Sequence, residues 1–240
     1  MKRIIFIAII TLTAYTGFAQ NNDSIIIKRI IDETMINGMA YENLRILCKQ
    51  VGARLSGSPQ DKKAVALTTK MMKSIGIDTV YLQRCMVPHW VRGEKEIGQI
   101  IQGGKKYSLN LCALGNAEGT GPQGITAPVI EVSSMDQVNQ AGTKNIKGKI
   151  VFFNFPMNPT YIRTFIAYGE SGVSRTRGPS LAAKYGAVGA IVRSLASNLD
   201  YFPHTGVTVY NDSFPKIPAV AISTKDAEYL SKQLKSEKKV

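Results

Sequence analysis

Between Ile25 and Ile75 the apolar positions recur at helical spacing. Ile25, Ile26 and Ile30 line one face of a first segment whose other face carries Arg29 and Glu33. Asp23 or Ser24 offers an N-cap for it, and Gly38 follows its end. Tyr41, Leu44, Leu47, Cys48 and Val51 form a second stripe of the same period. A loop over Gly52–Pro59 follows, in which Ser58 caps a third helix and Pro59 takes its first position. Ala64, Leu67, Met71 and Ile75 make that helix's buried face, and Gly76 stops it.

From Thr79 the period shortens to two. Val80, Leu82 and Met86 alternate with polar neighbours and predict a strand. Ile97–Ile101 and Tyr107–Leu111, separated by Gly103-Gly104, predict a hairpin. Around Gly115 the texture changes: Gly119, Gly121, Pro122 and Gly124 punctuate the chain, and short apolar runs then alternate with helical ones. Strands are expected at Ala127–Val132, Ile150–Phe153, Ala187–Val192 and Pro218–Ile222. Helices are expected at Met135–Ala141, at Ser180–Tyr185 and from the Ser223 cap through Leu234, with an irregular stretch before Ser180. This alternation defines an α/β unit.

The first residues have another character. Lys2 and Arg3 precede the uncharged apolar run Ile4–Thr13, and Gly17-Phe18-Ala19 supplies the small residues that a signal peptidase reads. Export is expected, to the periplasm or the exterior, with cleavage after Ala19. No cysteine lies at that cleavage point, which argues against a lipid anchor, and no later run is apolar enough to hold the mature chain in a membrane.

The formal net charge is +13. The lysines and arginines are scattered, however, and no stretch interleaves them with aromatics, so a solvated basic surface is favoured over a nucleic-acid site. Cys48, Cys85 and Cys112 are too few and too dispersed for a disulfide scaffold or zinc knuckle; one bridge with a thiol left over, or buried free thiols beside their apolar neighbours, both stay open. Asn22 and Asn211 begin glycosylation sequons.

Catalytic signals are sparse. The two histidines, His89 and His204, stand alone, and no His-x-x-x-His, His-x-Asp or Glu-Glu occurs. A hydrolytic zinc site needs at least three such donors plus a position for water. Ser56-Gly57-Ser58 lacks the setting of a nucleophile elbow, and the glycines between Gly115 and Gly124 lack the Gly-Lys-Ser/Thr of a phosphate loop.

Several segments nevertheless resemble a family of zinc exopeptidases, the carboxypeptidase Q-like enzymes. They are Gly52-Ala53-Arg54-Leu55-Ser56-Gly57-Ser58, Val87-Pro88-His89-Trp90-Val91-Arg92-Gly93-Glu94 and Gly124-Ile125-Thr126-Ala127. Gly148-Lys149-Ile150-Val151, Ile191-Val192-Arg193-Ser194, Pro203-His204-Thr205-Gly206 and Pro215-Lys216-Ile217-Pro218 continue the series in the family's order. The His-Trp-Val-Arg-Gly and Pro-His-Thr-Gly segments are the specific ones.

The resemblance implies an α/β architecture: the helices and first strands of a zinc-exopeptidase domain, then an inserted α/β protease-associated domain. Applied to this chain it gives a signal peptide over 1–19, the opening of the peptidase domain over 20–114, the insert over 115–234, and a return toward the peptidase domain over 235–240. It implies two zinc ions and a short peptide substrate for the complete enzyme. The family's metal ligands and general base lie after the insert, so no metal or catalytic residue is assigned and this chain alone is expected to be inactive. Arg193, His204 and Thr205 are the candidate substrate-cleft residues, with Arg175 and Arg177 as further candidates for meeting a carboxylate. A homodimer is an open alternative for the assembly. The competing reading is a stand-alone protease-associated module that binds peptide or protein without catalysis.

Overall fold

The computed structural model describes residues 22–236. The proposed cleavage point at Ala19 therefore lies outside the described residues, as does most of the tail. The chain divides into two compact units between His89 and Trp90.

The first unit is helical. Helix α1 is already formed at residue 22 and runs to residue 37, so neither Asp23 nor Ser24 is its N-cap, while Gly38 does follow its end. Helix α2 spans Ala40–Gln50 and α3 spans Pro59–Ser74. The start of α3 follows directly from its sequence. Ser58 Oγ accepts from Asp61 N at 3.1 Å, Asp61 Oδ2 accepts from Gly57 N at 3.0 Å, and Pro59 takes the first turn, where no amide hydrogen is needed.

Burial departs from expectation. Neither α2 nor α3 has a single buried residue; Ala64, Leu67 and Met71 are half-covered and Ile75 is exposed. Ile36 and Tyr41 are 79% and 80% exposed. The strand expected over Thr79–Met86 does not form, because no ladder partner meets it among the described residues. The apolar stripes are present, but within this unit little covers them.

The second unit is a layered α/β body. Strands β1 (Gln99–Gln102) and β2 (Lys105–Ser108) form the expected hairpin, turning on Gly103 and Gly104 at φ 54° and 77°. The main sheet has the order β3-β7-β6-β5-β4, where β3 is Leu111–Ala113, β4 Val129–Val132, β5 Ile150–Phe153, β6 Gly189–Arg193 and β7 Ala219–Ile222. All pairs are parallel except β3 with β7. The texture shift at Gly115 thus falls inside this unit: β3 precedes it, yet pairs with β7 near the chain's end, and Leu114 is fully buried in the main core.

Alternation along β5 sorts the two faces. Val151 and Phe153 point into a core closed by Val138 and Ile146 of α4 (Met135–Ile146) and by Ala182 and Ala183 of α6 (Gly178–Lys184). Phe152 points the other way, toward Ile222, Ile100 of the hairpin, and Ala227 and Leu230 of α7 (Thr224–Lys235). Both faces are covered, as a largely parallel sheet requires. Ser223 caps α7, its Oγ accepting from Asp226 N at 3.0 Å.

Two helices correct the sequence reading. Helix α4 continues past the expected stop at Ala141 through a break at Gly142, whose φ is 56°. The stretch read as irregular contains α5, Thr164–Thr176. Gly169 and Gly172 lower its helix propensity. Burial of one face offsets that: Ala167, Ser171, Ser174 and Arg175 are buried at helical spacing.

Candidate functional site

The two most specific segments of the sequence converge on one end of β3. As an edge strand, β3 turns the amide and carbonyl of Ala113 away from β7. Glu96 Oε1 accepts from that amide at 2.8 Å, and the carbonyl accepts from Arg92 Nη1 at 3.2 Å and from Thr205 Oγ1 at 2.6 Å. Arg92 Nη1 also lies 2.8 Å from Glu96 Oε1 and 3.1 Å from Cys112 Sγ, and its guanidinium sits 5.0 Å from the Trp90 ring centroid. Trp90 Nε1 in turn donates to Ala117 O. Burial pushes the Glu96 carboxyl upward, but the amide hydrogen bonds and the Arg92 guanidinium outweigh it and hold the group below the ordinary carboxylate value. This cluster borders a cleft of about 610 Å³ between the Trp90–Ile97 and Ala117–Gly124 segments.

The connection between β6 and β7 is a long loop, pinned at successive positions. His204 N donates to Ser194 Oγ at 2.8 Å, and Ser194 Oγ donates to Ile222 O at 2.6 Å. Gly206 O accepts from Gly115 N, Thr208 N donates to Gly115 O, and Val209 N donates to Thr176 O. Asn116, in the left-handed region at φ 68°, donates from Nδ2 to Thr208 O. Tyr210 Oη donates to Ile217 O, and burial followed by the nearby Glu118 charge pushes that phenol up to about 12. The backbone is fixed while His204, Phe202 and Val207 remain exposed. Backbone constraint with outward side chains is the arrangement expected of a recognition loop.

The candidate residues separate accordingly. His204 and Thr205 lie on this loop, and Nδ1 of His204 has only a long 3.4 Å contact to Leu195 O. Arg175 joins them by packing against Gly206: a Cβ there would sit 2.5 Å from the guanidinium carbon, so a larger residue would have to push the arginine head aside. Arg193 points elsewhere. Its Nη1 pairs with Glu228 at 2.6 Å and bonds Asn154 Oδ1 at 3.2 Å, in a network that includes Glu131 and Ser231 and locks α7 to the strand ends. Arg177 is exposed at the end of α5. His89 is exposed beside Gly57 in the first unit.

Two groups were missed by sequence reasoning. Glu96 lies four residues after Arg92, a spacing that signals an ion pair only when a helix is expected there. Asp226 is fully buried and accepts from Tyr107 Oη (2.9 Å), Asn110 N (2.7 Å), Asn110 Nδ2 (3.0 Å) and Ser223 Oγ (2.8 Å). Its position in the first turn of α7 marked it only as an ordinary helix-start carboxylate. Among the described residues no three of His, Cys, Asp and Glu come together as a metal site. The donor set of a zinc centre is not formed by them.

Comparison with known proteins defines the class first. The chain superposes on the crystal structure of a peptidase M28 precursor from Shewanella amazonensis with a TM-score of 0.82 and 30% identity, over 91% of this chain and 49% of that one. A zinc aminopeptidase from Bacillus subtilis, at 21% identity and a TM-score of 0.50, shares the fold alone. The chain is a homologue of carboxypeptidase Q: it is 37% identical to the human enzyme over 193 residues, 80% of this chain and 39% of that protein. It spans about two fifths of the length of the curated relatives it matches. No protein-family model matches it.

Proposed function

We propose that this chain is the N-terminal portion of an exported zinc metallo-exopeptidase that releases amino acids from dipeptides or short peptides. The observation that carries the reading is the identity to carboxypeptidase Q over four fifths of the chain, combined with coverage of only two fifths of that enzyme. In this reading the metal donors come from sequence beyond the described residues. When bound, zinc would activate a water and polarise the scissile carbonyl; the residues described here take no part in holding it. Their role is recognition, by the His204–Thr205 loop, and support of the catalytic body by helices α1–α3. Within that scheme the α/β body built on β3–β7 acts as the protease-associated domain.

The exposed stripes of α1–α3 fit the same scheme, since helices with apolar faces and no buried residue have their covering body elsewhere. Fusing the chain to the remaining part of human carboxypeptidase Q tests it. Zinc-dependent dipeptide hydrolysis by the fusion, with none by the chain alone, is expected. Hydrolysis by the isolated chain would overturn the assignment of the donors. A fusion that binds zinc and hydrolyses no peptide would overturn the peptidase reading. A downstream reading frame containing His-x-Asp and Glu-Glu beyond codon 240 is the corresponding genomic expectation, and its absence favours a non-catalytic binding module.

A further inference from the structure

Arg175 is a buried cation without an anion. It sits in the last turn of α5 and is only 9% exposed. Among the described residues no carboxylate lies within ion-pair distance of it. Nη2 donates to the neutral Tyr168 hydroxyl at 2.7 Å, and the guanidinium lies 5.3 Å from that ring's centroid. Nε is buried with no hydrogen-bond partner. Arg193 differs in its charge partner alone: it is as deeply buried and its Nε is likewise without a hydrogen bond, but its charge is met by Glu228.

Burying a charge is costly unless it is paired. The Tyr168 ring and the carbonyls at the end of α5 offset part of that cost. Neither supplies an opposite charge. The chain nevertheless builds closely around the guanidinium: Gly206 lies flat on it, and Tyr168 packs with Met157, Ala167 and Leu195, the residue whose carbonyl His204 approaches. An unmatched cation enclosed by a pinned loop is the arrangement of an anion subsite, and a planar guanidinium suits a carboxylate.

We propose that Arg175 anchors a carboxylate subsite, walled by Tyr168 and the His204–Gly206 segment, that takes the free C-terminal carboxylate of a short peptide. The identity of the ligand rests on the peptidase reading; the existence of the subsite does not. Arg175 keeps 9% of its surface exposed, and a small anion would have to reach it there.

The test uses the full 240-residue chain, with the arginine Nε–Hε signals followed by NMR during titration. The probes are acetate, alanyl-phenylalanine, its C-terminal amide and inorganic phosphate. The expected result is a saturable shift of the Arg175 signal with acetate and the dipeptide acid, and binding of the amide weaker by roughly tenfold or more. Arg175→Lys, which keeps the charge and loses the planar fork, is expected to weaken dipeptide binding by about tenfold with little change in melting temperature. Equal binding of acid and amide, an unmoved Arg175 signal, or a response to phosphate alone would each overturn the proposal; the acid–amide comparison on the unaltered chain decides it even if the variant misfolds. Carboxylate binding together with an inactive fusion leaves the subsite standing and defeats the peptidase reading. An active fusion with no carboxylate at Arg175 does the reverse.

Discussion

Replacing Asp226 by Ala should release the β1–β2 hairpin and β3 from the start of α7. The carboxylate is fully buried and accepts four hydrogen bonds, from Tyr107, from the amide and side chain of Asn110, and from Ser223. Ser223 is fully buried, so its hydroxyl is left without its acceptor, whereas Tyr107 and Asn110 reach solvent and recover part of the loss. With a buried orphaned donor costing about 1–3 kcal/mol and each lost bond to a charged group a similar amount when uncompensated, the total is about 3–4 kcal/mol. For a body of this size that lowers the melting temperature by roughly 10 °C. The N-cap itself survives, because Ser223 Oγ still accepts from the amide of residue 226. Near-ultraviolet circular dichroism is the appropriate assay, since Tyr107 and Tyr229 stack with centroids 4.2 Å apart across this joint. Asp226→Asn keeps one acceptor and should lose about half as much. A melting temperature for Asp226→Ala within about 2 °C of the parent would refute the reasoning.

The remaining predictions are more compact. Burial, then the hydrogen bond to Asp226, pushes the Tyr107 phenol up to about 12, so absorbance titration of Asp226→Asn should show that phenol titrating lower but still above 10. Because the folded value exceeds the unfolded one, its contribution to stability is complete below about pH 10 and lost as pH rises through 12. Glu96 has the opposite sign: its value is depressed, so its contribution is present above the unfolded value of 4.5 and lost as pH falls through the folded one, and Glu96→Gln should flatten that part of the acid unfolding curve. Gly206→Ala forces a Cβ onto Arg175 and should cost about 1–3 kcal/mol in chemical denaturation, whereas a glycine in open space such as Gly119 should tolerate the change. Limited proteolysis of the intact chain should cut within residues 22–89 well before 90–236, because the first unit buries so little; the reverse order would count against that account.

Elements whose local chemistry is self-sufficient were legible in the sequence. The caps at Ser58 and Ser223, the Gly103-Gly104 turn and the apolar run of β5 each follow from a few adjacent residues. What depended on distant partners was not. The alternation over Thr79–Met86 is real, but a strand exists only where another backbone meets it. Helix α5 hid behind two glycines because its stabilisation comes from burial of one face rather than from propensity. At the candidate site, His204 and Thr205 were visible as an unusual turn, whereas the partners of Arg193, Glu228 and Asn154, lie 35 and 39 residues away and were not legible as such. Arg175, ranked lower, is the arginine that the Pro-His-Thr-Gly loop touches.

The pairing of β3 with β7 has a consequence for how the second unit is made. Asn110 and Asp226 are 116 residues apart, and the backbone contacts they bracket join the first part of this unit to its last helix. During synthesis the hairpin and β3 emerge early and must wait, with an unpaired edge and an apolar face, until almost the whole body has left the ribosome. The three strands β4, β5 and β6 can associate in the meantime through their own local crossovers. The last event is then the closing of a ring: β7 slots between its neighbours, α7 follows, and the ends of the unit are fastened to each other.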